Sequence, residues 1–195
     1  MKSVLYFAAC ATLAITVPSA NAADFYVGAA LGQSYSTNAT IADGGQSINL
    51  NSSGQANPVK AFIGVDLNEN FGLEAGHKSF GSTRMNVGDA AGTALATDAH
   101  ASYIAAKGML PLSDDWTLIG KLGVGQRHFG VTLSRNGQSI SDSTTQNGLY
   151  AGVGVAYKLT KNISLTAELE HMGEAQVQGL KLGMDGFSAG VRFGF

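Results

Sequence analysis

The sequence predicts an all-β chain, an eight-stranded antiparallel up-and-down transmembrane β-barrel. Three patterns carry that expectation. Segments with a period of two recur along the chain, short and long connections alternate, and charges share one strand face with small residues while apolar side chains take the other.

The first 22 residues read as a cleaved signal peptide. Lys2 gives the positive start, Val4 to Val17 form an apolar stretch, and Ala20-Asn21-Ala22 supplies small residues for cleavage between Ala22 and Ala23. A membrane-spanning helix needs about 20 apolar residues, and Pro18-Ser19 cuts this one short. The barrel is therefore expected over residues 23–195. Cys10, the only cysteine, goes with the signal, which leaves the barrel without thiol or disulfide chemistry. All 26 glycines follow residue 22, charged residues make up only 13% of the chain and no long apolar run occurs after residue 22, which together exclude a helical membrane protein and fit a β-rich chain. No basic stripe occurs, so nucleic acid is not an expected partner.

Strands are expected near 24–36, 58–67, 71–80, 98–110, 116–134, 146–159, 163–172 and 183–195. Val59, Ala61, Ile63, Val65 and Leu67 alternate with Lys60, Gly64 and Asp66, and Phe187, Ala189, Val191, Phe193 and Phe195 alternate with Ser188, Gly190, Arg192 and Gly194. Short connections fall at 68–70, 111–115 and 160–162; long polar ones fall at 37–57, 81–97, 135–145 and 173–182.

A soluble barrel would hide its apolar face and expose its charges. Here the face opposite the apolar one carries Lys60, Asp66, Glu74, Lys78, Lys107, Lys121, Arg127, Lys158, Glu168, Glu170 and Arg192. Eight strands leave an interior just wide enough for side chains, so these charges must pair. The expected lumen network is Lys60, Glu74, Lys107, Lys121, Glu168, Glu170 and Arg192, with the three glutamates answering Lys107, Lys121 and Arg192. On the outer face, Phe25, Phe71, Trp116, Tyr157, Phe193 and Phe195 fall at the short-turn ends, where an aromatic girdle at the periplasmic interface is expected. Parity sets His77, His100, His128 and His171 on the lipid side toward the long connections. Two roles suit them, amphipathic boundary residues or a pH-sensitive contact with lipopolysaccharide phosphates.

Several segments resemble the OmpA-like transmembrane domain family, which includes OmpX-type barrels and the neisserial surface protein A type. They are Phe25-Tyr26-Val27-Gly28, the run Asn70 to Gly76, the run Tyr157 to Leu165, and Gly190 to Phe195. The resemblance implies a multi-pass barrel of the cell outer membrane, most simply a monomer, with both termini in the periplasm. It also implies that Val191, Phe193 and Phe195 form the signal read by the barrel-assembly machinery. Family members that bind peptidoglycan do so through a domain after the barrel; the chain stops at Phe195, so that role is not expected.

The leading functional expectation is a non-enzymatic surface barrel in contact with outer-membrane lipid and lipopolysaccharide, with loops that meet a host or surface ligand and support membrane integrity or adhesion. A small channel comes second. A lipid A deacylase comes third, because His77-Lys78-Ser79 and His100-Ala101-Ser102 each put a His and a Ser on one strand face, but no acid of matching parity is expected nearby. No cofactor, metal-ligand spacing or phosphate loop is evident.

Overall fold

The computed structural model describes residues 23–34, 38–43, 46–51, 57–86, 93–135, 138–177 and 180–195. Residues 1–22, and Ala22 of the expected cleavage site with them, lie outside that set. Eight strands close an antiparallel barrel: β1 (Asp24–Ser34), β4 (Val59–Asp66), β5 (Phe71–Asn86), β6 (Thr93–Pro111), β7 (Trp116–Arg135), β8 (Gln138–Lys158), β9 (Ile163–His171) and β12 (Gly186–Gly194). Each pairs with its neighbour in the chain, and β1 joins β12 in register from Tyr26 opposite Gly194 to Ser34 opposite Gly186, which removes every open edge from the barrel wall. Among the described residues, two small hairpins accompany the barrel: β2 (Asn38–Asp43) with β3 (Gln46–Asn51) and β10 (Glu174–Val177) with β11 (Leu180–Gly183).

The three short turns share one construction. Leu67, Leu112 and Leu159 each donate their amide to the carbonyl four residues on, that of Phe71, Trp116 and Ile163, at 2.8–2.9 Å. The residue after each leucine then accepts backbone amides with its side chain: Asn68 Oδ1 from Asn70 and Phe71, Ser113 Oγ from Trp116, and Thr160 Oγ1 from Asn162 and Ile163. Asn, Ser and Thr suit that position because a short polar side chain can replace a backbone turn bond.

The long connections depart from expectation. Residues expected as loops at 81–97 and 135–145 belong mostly to β5, β6, β7 and β8, which run on past the apolar band as one four-stranded sheet, and the connections at 37–57 and 173–182 contain the hairpins. Polarity made these stretches look like loops, yet alternating Ser and Thr suit a hydrated sheet through cross-strand hydroxyl pairs. Thr132 meets Ser141 at 3.1 Å and Ser134 meets Ser139 at 3.0 Å. The β5 register slips between Ser79 and Ser82, where Gly81 adopts φ 81°, a left-handed conformation that glycine takes without a Cβ penalty.

Candidate functional site

The alternation of each strand sorts side chains between lumen and outer wall, and the lumen is filled in layers. At the short-turn end Asp66, the last residue of β4, takes ion pairs from both Lys107 and Arg192. Lys107 reaches it across Gly72, which lies between the two in the ladder and has no side chain to block the path. The next layer centres on Lys121, whose Nζ lies 2.7 Å from both Glu74 and Glu168. Tyr26 and Tyr103 donate their hydroxyls to Glu74 at 3.0 and 2.6 Å. Higher still, Lys60 contacts Glu168 at 2.8 Å and Glu170 at 3.0 Å, and Glu170 also accepts from Lys78, Tyr150 and Ser188. Phe80, Phe129, Met172, Met184 and the stacked rings of Tyr103 and Tyr150, 4.0 Å apart, form an apolar layer above the charges. Arg127 donates to the Met172 carbonyl, Met184 donates its amide to Gly173 at 3.0 Å, and Asp185 accepts the Met172 amide at 3.2 Å, so the base of the β10–β11 hairpin is tied over this layer.

The partners differ in part from those expected. Arg192 meets Asp66 rather than a glutamate because it sits opposite Ser164, four residues along β9 from Glu168, or about 13 Å of strand. Lys107 also serves Asp66, while Glu170 is held by Lys60 and Lys78. Lys158, expected in the lumen, is exposed at the end of β8. Tyr26, Tyr103, Tyr150 and Ser188 join the network beyond the residues expected in it. Their inward parity was visible, but an aromatic ring at such a position reads equally well as wall. The better signal was Gly64 and Gly76, where a Cβ would collide with the rings of Tyr26 and Tyr103.

On the outer wall Phe71, Trp116, Phe193 and Phe195 are exposed at the short-turn end, with Phe25 and Tyr157 half-buried beside them. Trp116 packs on Tyr157 at 4.9 Å between ring centroids. Apolar side chains continue from there, on β7 from Trp116 through Leu118 and Leu122 to Val124, about 26 Å of strand at ~3.3 Å per residue. Above them the outward positions turn polar: Gln33, His77, Ser102, Gln126, Asn147, His171 and Asp185.

The histidines lie on this rim. His77, His100 and His128 form a row across β5, β6 and β7, with centroids 5.6 and 4.7 Å apart, and His171 pairs with Asp185 at 2.9 Å. Ser102 bonds His77 on the neighbouring strand, at 2.9 Å, so the His-x-Ser pairs of the sequence are not the pairs formed in space. The expectation that no acid shares this face fails at Asp98, which is exposed and has the parity of His100 and Ser102. Among the described residues no group of three or more His, Cys, Asp or Glu is arranged to hold a metal ion.

Charges inside, an apolar belt outside and a closed ladder that satisfies the wall's backbone define a transmembrane β-barrel. The chain belongs to the OmpA-like transmembrane domain family, whose model matches residues 20–195, and it is a multi-pass barrel of the outer membrane. It is 31% identical over 140 residues to outer membrane protein A of Serratia marcescens; the match takes in 69% of this chain and 38% of that relative, so the chain spans well under half the relative's length. Among solved structures it is similar to OprG from Pseudomonas aeruginosa, with a TM-score of 0.58 and 13% identity over 90% of this chain and 97% of that one. It is also similar to Ail of Yersinia pestis in complex with the heparin analogue sucrose octasulfate, with a TM-score of 0.54 and 16% identity over 88% of this chain and 99% of that one. At these identities the two structures share the fold alone.

Proposed function

We propose that the protein is a non-enzymatic surface barrel: a plugged membrane anchor that presents the sheet of β5–β8 to the outside. In this reading the short turns and both termini face the periplasm, Phe25, Phe71, Trp116, Tyr157, Phe193 and Phe195 seat the barrel at that interface, and Val191, Phe193 and Phe195 are read by the barrel-assembly machinery. The observation that carries it is the sheet itself. β7 runs to Arg135 and β8 begins at Gln138, so the pair extends about 36 Å of strand beyond Val124. A loop needed only to close the barrel requires none of that length. On the face of this sheet continuous with the lumen side, Leu133 lies opposite Ile140, which is 74% exposed, an apolar pair in an otherwise hydroxyl-rich hairpin.

Ail was solved with a heparin analogue. A polysulfate is a poor match here, because the long connections carry Asp43, Asp89, Asp142 and Glu174 against Arg84, Arg135 and Lys181. A protein surface with an apolar patch and few acids suits it better. The test is to replace residues 132–141 with a tight turn and compare truncated and intact protein, both inserted in outer membranes, for binding to host matrix proteins and to lipopolysaccharide. Retained barrel with lost matrix binding is expected. Matrix binding that survives the truncation, or that the intact protein lacks, would contradict the reading.

A further inference from the structure

His77, His100 and His128, for which the sequence leaves open a boundary role or a pH-sensitive phosphate contact, take no part in the lumen network or in the proposed surface of the β5–β8 sheet. They come from three consecutive strands, lie side by side on the outer wall, and stand where the apolar belt gives way to polar side chains. Two of the three are fixed by wall hydroxyls: Ser102 Oγ holds His77 Nδ1 at 2.9 Å and Thr145 Oγ1 holds His128 Nδ1 at 3.0 Å. With Nδ1 engaged, Nε2 is the ring position left to meet a ligand. His171 is different, since Asp185 engages its Nδ1 at 2.9 Å on the opposite side of the barrel.

We infer that this row is a proton-dependent site for a phosphodiester oxyanion. His100 and His128 are stacked, with 22° between ring planes, so their nitrogens do not converge on one point as metal ligation requires, whereas the several oxygens of a phosphate can each accept from a separate ring. Protonating adjacent rings at this spacing sets like charges against each other, and an anion on the row relieves that repulsion. The surroundings agree. Asp98, on the face of His100, offsets one positive charge. Among the described side chains no other acid or base faces the row: β4 contributes Val59 and Ala61, β5 contributes Ser79, β7 contributes Gln126, and β8 contributes Thr145 and Asn147. Lys60, Lys78 and Arg127 have the opposite parity and are buried in the lumen. The anion-bound row holds more protons than the free row, so affinity rises as pH falls through the range in which imidazole charges. At the upper edge of the apolar belt a lipid headgroup is one source of such an oxyanion, and a soluble phosphodiester presents the same oxygens. The site stands on the rim geometry and does not depend on the proposed role of the β5–β8 sheet.

The test uses the purified intact barrel in zwitterionic micelles, titrated with short-chain phosphatidylglycerol and separately with dimethyl phosphate. Both probes keep one negative charge across the range, so any pH dependence belongs to the protein. Histidine ring resonances report occupancy. Phosphatidylglycerol should bind roughly fivefold more tightly at about pH 5.5 than at about pH 7.5. His171→Gln should keep that ratio, whereas His77→Gln/His100→Gln/His128→Gln should abolish it while still showing the heat-modifiable migration of a folded barrel. His100→Gln alone, which leaves the Ser102–His77 and Thr145–His128 hydrogen bonds in place, should reduce the ratio. If dimethyl phosphate follows the same profile, the site takes any phosphodiester; if only the lipid does, it is a headgroup site. A wild-type ratio near one, or one unchanged in the triple variant, overturns the proposal.

Discussion

Lys121 shows how much rests on single side chains in this lumen. It stands directly opposite Lys107 in the ladder, an unfavourable pairing for two buried cations, and the structure separates them by turning Lys107 to Asp66 and Lys121 to Glu74 and Glu168. Removing Lys121 leaves two buried carboxylates short of a counter-charge. Lys121→Met is therefore expected to cost about 3–5 kcal/mol of unfolding free energy. Lys158→Met, at an exposed strand end, should stay within ~0.5 kcal/mol. Urea unfolding in lipid vesicles checks both, and a Lys121 effect below that of Lys158 would contradict the layered network. Glycine supplies the complementary test. A Cβ on Gly76 would lie 2.5 Å from the Tyr103 ring, whereas one on Gly120 meets nothing within 4 Å. Gly76→Ala should destabilise by about 1–3 kcal/mol through overpacking, and Gly120→Ala should be neutral or mildly stabilising. Equal effects in the same assay would show that the ring is not held where it lies.

At the scale of elements, the barrel strands were legible because lipid enforces a strict period of two over Val59–Leu67, Leu149–Leu159 and Phe187–Phe195. The upper strands were not. Ser139, Ser141 and Ser143 alternate with Ile140 and Asp142, a weak contrast once both faces meet water, and the pattern reads as loop unless the cross-strand partners are known. Charge placement in the lumen was legible by parity, but the pairing only in part: Lys121 meets Glu74 and Glu168 as expected, while Arg192 and Lys107 turn to Asp66, because parity gives faces and not relative height. The β12 terminus yields a further prediction. Phe195 donates its amide to the Phe25 carbonyl at 3.1 Å and ends the outward row of Val191 and Phe193, so it both closes the seam with β1 and completes the proposed assembly signal. Deleting Phe195 should sharply lower the heat-modifiable barrel recovered from outer membranes. Loss of one seam bond alone would spare that level, because the remaining β1–β12 ladder is intact, so normal recovery would remove the assembly role while leaving the fold account in place.

For the whole molecule, the interior decides between an anchor and a pore. Asp66 and Arg192 occupy the short-turn end, Lys121 and the glutamates the middle, and Phe80, Phe129, Met172 and Met184 the long-loop end, with the β10–β11 hairpin tied above them through Arg127 and Asp185. Each layer would have to open for ions to pass, and opening the middle one strands charges that lipid shields from bulk water. The same packing gives a rigid base for the sheet that rises from it. Single-molecule conductance of the purified full chain in planar bilayers tests this most directly. Little or no steady current is expected across a range of salt concentrations and voltages, with at most brief events; a sustained, large, salt-dependent conductance from the folded barrel would contradict the plugged lumen and make the protein a channel.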